Sequence, residues 1–256
     1  MQKIFLTIAL SLMLVSGASA QKWGTIKGRF VLDGDAPSPS KITVTKDAAV
    51  CGANPLFEET LVVNDENKGI RDIMVYLNLG RSDKLKTHPD YEEAIKKPVV
   101  MDNVGCRFEP HVVILQVNQT LEIGNKDPIA HNAKVDTSSN PPINPIIQAN
   151  SKVEQVYKKA ERRPANVSCS IHPWMTGRVM VLDHPYSAVS DADGNFEIKN
   201  LPVGKWEFQF YHETGYVEEA NMDGKKVSMK RGRLELEVKE GETDLGELLV
   251  KPAELK

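Results

Sequence analysis

The sequence predicts an all-β protein built from two β-sandwiches. Three observations carry this. Short runs rich in β-branched and aromatic residues recur along the whole chain, many of them bounded by Gly, Pro, Asn or Asp at spacings typical of sandwiches. One segment, THPDYEEAIKK (87–97), is the persuasive helical signal. The stretches 24–80 and 186–250 also look unlike the middle of the chain, which points to more than one unit. The chain is long enough for two domains of about 100–120 residues each.

Taken in order, residues 1–20 read as a secretory signal. Lys3 is a short basic region, Ile4 to Val15 is almost continuously apolar, and Ala18-Ser19-Ala20 supplies the small residues for cleavage. No cysteine follows that site, so no lipid anchor is expected. No later stretch has the length and apolarity of a membrane span. The mature chain is expected to start at Gln21 in a periplasmic or extracellular space. GTIKGRFVLDG (24–34) alternates and ends in an Asp-Gly turn signal, and KITVTK (41–46) and DIMVYLNL (72–79) are the next strands. In 87–97, Thr87 or Asp90 is placed to cap a short helix whose acidic residues come early and lysines late, and Pro98 stops it. HVVILQV (111–117), QTLEIGN (119–125), VEQVYKK (153–159) and RVMVLD (178–183) are the strands of the middle, and PPINP (141–145) is a loop. GNFEIKN, KWEFQFYH, RLELEVKE and LGELLVK follow. Within DADGNFEIKNLPVGKWEFQF (191–210), Asp193-Gly194 makes a tight turn and Phe196 and Ile198 alternate inward. Leu201-Pro202 and Gly204 turn again, and Trp206, Phe208 and Phe210 form the next inward face.

That last stretch resembles the immunoglobulin/prealbumin-like (carboxypeptidase regulatory-like) β-sandwich family, with Ser190 where the family usually has Thr. The resemblance implies an opening strand like GTIKGRFVLDG and another like DIMVYL, and both lie more than 100 residues upstream. One sandwich formed by 21–97 and 185–256, interrupted by a domain inserted over 98–184, is the simpler account. Two separate modules at the ends are the alternative, and at about 70 residues each they are marginal for a core.

Charge and cysteine count narrow the function. The formal net charge is −3, which argues against nucleic acid and weakly against an acidic membrane. There are three cysteines, Cys51, Cys106 and Cys169, and in an oxidising compartment an odd thiol needs an occupant, usually a metal. SCSIHPWM (168–175) sets Cys169, His172 and Met175 three residues apart on a loop between two strands. Thiolate and imidazole are strong copper ligands and a thioether is a weak axial one. A second histidine must come from elsewhere, and His131 in GNKDPIAHNAKV (124–135) is the candidate.

With that pattern in view, HVVILQVNQTLEIGNKDPIAHNAKV and SCSIHPWMTGRVMVL together resemble the cupredoxin (blue, type 1 copper) family, a Greek-key β-sandwich. The C-x-x-H-x-x-M spacing is that of amicyanin- or plastocyanin-like members with a short loop. The resemblance covers 98–184 and implies one type 1 copper ion. Cys169 would be its thiolate ligand, His131 and His172 would complete the plane, and Met175 would sit on the axis. Asn132 would fix the two ligand loops to each other and bond the ligand sulfur through its N–H. Pro173 and Trp174 would flank a near-surface His172 as a docking patch for transient redox partners. Cys51 and Cys106 then have a natural use as a disulfide stapling one sandwich to the other, worth about 2–4 kcal/mol. An intermolecular bridge is its competitor.

Blander readings stand beside these. Cys169 could be a plain core residue, and Trp174 a core aromatic. His111 could pack, cap a strand or join Cys106 at a second metal. His88 and His184 precede prolines and read as loop residues, and His212 as satisfied within a sandwich. No nucleophile elbow, phosphate loop, H-E-x-x-H or C-x-x-C-H occurs, so no enzyme is expected. The function expected is a periplasmic or secreted carrier of single electrons. An extracellular binding or adhesion module with a structural cupredoxin fold, or a periplasmic copper-delivery protein, are the alternatives.

Overall fold

The computed structural model describes residues 21–80, 83 and 85–255; the signal sequence expected over 1–20 lies outside the described residues. The fold is all-β, with several sheets and little helix. No helix among the described residues is long and apolar enough to cross a membrane.

The strand Trp23–Leu32 pairs antiparallel with Asn195–Pro202 and parallel with Gly241–Val250, and Glu219–Met222 and Lys225–Ser228 complete that sheet. Facing it, Gly204–His212 lies between Met74–Leu77 and Arg233–Val238. Alternate residues point inward, so Ile26, Phe30, Phe196, Ile198, Phe208 and Phe210 meet in one core. Trp206 stays half-buried at its rim and donates from Nε1 to the Pro202 carbonyl at 2.7 Å. The Asp193-Gly194 turn forms as its residues dictate. The Asp191 carboxylate accepts the N–H groups of Asp193 and Asn195, and Gly194 sits at φ +82°, where a Cβ would lie 2.2 Å from the Phe30 carbonyl oxygen.

Strands between these two halves make a second pair of sheets. One runs Lys152–Val156, Thr120–Asn125, Val99–Asn103, Phe108–Glu109, and the other Val112–Gln116, Thr176–Leu182, Ala165–Ser168, Lys134–Asp136. Their core holds Met101, Phe108, Leu115, Leu121, Ile123, Val135, Val167, Val179 and Val181. Residues that precede all of these strands in the chain also enter it, since Cys51 and Leu56 are buried there with Ile42, Val44 and Val50 against them.

The two sandwiches meet flank to flank. Met74 and Tyr76 point away from the first core, Val112, Met180 and Leu182 away from the second, and together they form a buried seam. This is why MVYL (74–77) has no charged side chain: the strand is buried at every position, covered on both faces. A buried ionic cluster also links the two. His111 Nε2 is 2.6 Å from Glu213 Oε2, Arg178 reaches Glu213 at 3.1 Å, and Arg71 bridges Glu59 at 3.1 Å and Asp72 at 2.8 Å. Burial works against the His111 imidazolium, but the Glu213 hydrogen bond and the charges of Glu213, Asp72 and Glu59 outweigh it and raise its pKa. The stabilisation from a raised histidine is complete below its unfolded pKa of about 6.5 and fades as pH climbs through the folded value. His111→Gln should therefore cost most in thermal unfolding at pH 6 and least at alkaline pH; a penalty independent of pH would contradict this pairing.

Two sequence expectations need correction. KITVTK is not a strand; only Lys41 makes a bridge, to Phe57. Its alternation is real, with Ile42 and Val44 half-buried and Lys41, Thr43 and Thr45 exposed, but no neighbouring ladder accepts its backbone. The helix of 87–97 shortens to Asp90–Ala94, and neither Thr87 nor Asp90 caps it. The ring of His88 accepts the Asp90 N–H instead, at 3.2 Å. His184 lies in the loop between Thr176–Leu182 and Ser187–Val189, as expected, but is buried there, donating from Nε2 to the Leu77 carbonyl at 3.0 Å, and its pKa is lowered by burial.

Candidate metal centre

Cys169, His172 and Met175 lie where the strand Ala165–Ser168 turns into Thr176–Leu182. Backbone bonds close the loop tightly: Cys169 N–H donates to the Met175 carbonyl at 3.2 Å and Met175 N–H to that of His172 at 2.9 Å. The thiol and the ring are thereby brought together, with Cys169 Sγ 3.8 Å from His172 Nδ1. Met175 is buried in the same core.

The second ring arrives from another loop. His131-Asn132 is a two-residue strand against Ile146–Ile147. The loop ahead of it is shaped by buried Asn125, which accepts the Asp127 N–H and donates to the carbonyls of Ile129 and Ile147. His131 Nδ1 then lies 4.0 Å from Cys169 Sγ and 2.9 Å from His172 Nδ1. Both rings are 0% exposed and the cysteine 1%. Asn132 ties the loops together as expected of that position. Its N–H points at Cys169 Sγ at 3.5 Å, its Oδ1 accepts the Ile171 N–H at 3.2 Å, and its Nδ2 reaches Ser170 and Asn144.

Two carboxylates that the sequence reading did not assign hold the outer edges of the rings. His131 Nε2 donates to Asp127 Oδ2 at 2.9 Å, and His172 Nε2 to Asp47 Oδ2 at 2.8 Å. Asp127 is itself fixed by the N–H groups of Gly105 and Cys106 at 2.6 and 2.8 Å. Those two residues form a hairpin turn in which both stand at φ +59°, the backbone that turns their N–H groups toward the carboxylate. Burial and the neighbouring His172 lower the pKa of His131 against the pull of Asp127, favouring a neutral ring.

This arrangement tests whether a cation fits. An ionised carboxylate only accepts hydrogen bonds, so each Nε2 carries a proton, and a ring with no second proton offers a lone pair at Nδ1. Two such lone pairs 2.9 Å apart in a buried site repel each other unless a proton or a metal ion stands between them. The point equidistant from the three donor atoms is about 2.1 Å from each, the length of a metal–nitrogen bond and slightly short for metal–sulfur. A thiol and two imidazoles, each ring steadied by a carboxylate, is a donor set that suits a soft transition metal. Cys106, Asp127 and His131 also lie close, but Cys106 is bonded to Cys51 and offers no thiolate. For the same reason His111 has no second metal site with Cys106; it belongs to the ionic cluster instead.

The disulfide Cys51–Cys106 is formed, with Cα atoms 5.4 Å apart. His172 departs from expectation. It has no exposed edge: Asp47 bonds its Nε2, and the rings of His131 and Trp174 pack on it. Pro173 is exposed, but Trp174 is half-buried against the second core, its Nε1 donating to the Cys106 carbonyl at 3.3 Å. Asp127 had a sequence signal, a carboxylate four residues before His131 and next to the Asx-forming Asn125. Asp47 had none, since it comes from the other end of the chain.

No protein family matches the chain in a scan of family profiles, and no curated protein matches it. Among solved structures it is similar in part to the Cu-containing nitrite reductase (NirK) from Thermus scotoductus SA-01, at 24% identity and TM-score 0.31, over 41% of this chain and 25% of that one. The chain thus spans about a quarter of the nitrite reductase's length. It is also similar to a reduced amicyanin variant, at 20% identity and TM-score 0.30, over 33% of this chain and 81% of that one. A purple cupredoxin from Nitrosopumilus maritimus is similar at 22% identity and TM-score 0.27, over 33% of this chain and 97% of that one.

Proposed function

We propose that this chain is a mononuclear copper protein of the periplasm or cell exterior that carries single electrons between transient protein partners, rather than an enzyme. The observation that carries the reading is the convergence of Cys169 Sγ with the Nδ1 atoms of His131 and His172 in a buried cluster. Copper held there would supply a one-electron couple. Cys169 would provide the thiolate, His131 and His172 the imidazoles, and Met175 a weak thioether. The Asn132 N–H restrains the sulfur and shares its charge. Asp127 and Asp47 keep both rings in one tautomer and orientation. Burial keeps water from the donor atoms, and a preformed cluster held by packed strands favours one geometry for both oxidation states. Electrons would pass over a small face near Asp47 and Pro173, as such redox encounters bury little surface.

The test is a titration of the metal-free mature protein with Cu(II). One equivalent should bind and give an intense visible band that a one-electron reductant bleaches and reoxidation restores. Copper bound without colour would overturn the type 1 reading, and stoichiometric transfer of Cu(I) to an acceptor without useful electron exchange would favour delivery.

A further inference from the structure

Asp47 occupies the N-cap position of the helical turn Ala48–Cys51, yet its carboxylate makes no capping bond to that turn. It stands at φ +49°, a conformation aspartate tolerates, while its own carbonyl accepts the N–H groups of Val50 and Cys51. The side chain is thereby freed to reach His172 Nε2. Four residues on, Cys51 is joined to Cys106, whose N–H holds the Asp127 carboxylate on His131. The disulfide therefore connects the two backbone segments that grip the two rings from outside. Trp174, packed at 5.3 Å on His172 and bonded to the Cys106 carbonyl, leans on the same hairpin.

We propose that Asp47 is a positioning residue that closes the metal centre over His172, and that the Cys51–Cys106 bridge is the latch holding this closure and the Asp127 support of His131 in one frame. The closure rests on the copper reading only for what it encloses. It shuts the ring edge that would otherwise face solvent, so a metal ion leaves only when the 47–51 segment lifts.

Two measurements on the full mature chain test this. With Cu(II) as the probe, Asp47→Ala should lose metal to EDTA about 10–100-fold faster than wild type and shift the visible band, the scale at which removal of a supporting partner weakens metal sites. Asp47→Glu should restore most of the slow release, and Asp47→Asn should fall between. In the metal-free protein, alkylation of Cys169 by iodoacetamide should speed up at least about tenfold in Asp47→Ala, as expected when a closure over a buried site is lost. The Cys51→Ser/Cys106→Ser variant should show the same two changes, and adding Asp47→Ala to it should add little. Wild-type rates and spectrum in Asp47→Ala would overturn the closure while leaving the copper reading intact. A wild-type protein that binds no Cu(II) would remove the copper reading, and alkylation alone would then decide the closure. Multiplicative effects in the combined variant, or a cystine-free chain that does not fold, would overturn the latch.

Discussion

Cys169→Ala is expected to abolish the visible band of the copper-loaded protein outright. The band requires charge transfer from a thiolate, and no other free cysteine exists among the described residues. Copper affinity should fall by more than the 10–100-fold typical of lost supporting contacts, because a first ligand is removed. The fold should survive. One buried sulfur is deleted, a change of about 1 kcal/mol, and the backbone bonds that close the 169–175 loop do not involve it. Absorption spectra and thermal melts of the two proteins, run side by side, check both halves of the expectation. Persistence of the band would mean that sulfur is not its source, and the assignment of Cys169 would fall.

Glu161→Ala should be among the most destabilising single changes on the second sandwich, by about 3 kcal/mol. Its buried carboxylate collects the N–H groups of Ser138, Ser139 and Asn140, the Ser138 hydroxyl and the Asn140 side chain. Removing it strands these donors and frees the loop that leads to Asn144, the partner of Asn132 beside Cys169. Burial alone would raise the pKa of Glu161, but the bonds from Ser138, Asn140 and Ser139 overcome it and hold the pKa below the ordinary glutamate value. A depressed carboxylate stabilises fully above its unfolded pKa of about 4.3 and loses that contribution as pH falls through the folded value. The gap in denaturant midpoint between wild type and Glu161→Gln should therefore be widest near neutrality and close in acid. A gap that widens in acid would refute the account.

How much of this was legible in the residues depends on distance along the chain. Cys169, His172 and Met175 share one loop, so their spacing announced them. His131 follows from the chemistry, since a thiol and a ring on a strand-end loop need a second ring from a neighbouring loop. The strands around Phe30, Ile123 and Phe208 were readable because buried and less buried residues alternate along part of each, although each also has a run of three buried residues. KITVTK misled because it has the alternation without a partner strand. The cover on His172 was illegible: Asp47 lies 125 residues away, and only a folded backbone brings the two into register. Burial of Trp174 stood among the sequence readings, but its partner, the distant Cys106 hairpin, did not.

The seam of Met74, Tyr76, Val112, Met180 and Leu182 ties the fates of the two sandwiches. Melting either one would strip the other of a wall and wet a strand that has no polar side to offer. Neither half is thus an independent lodger in the chain. The two sandwiches are thereby expected to unfold as one cooperative body, even though each encloses a core of its own.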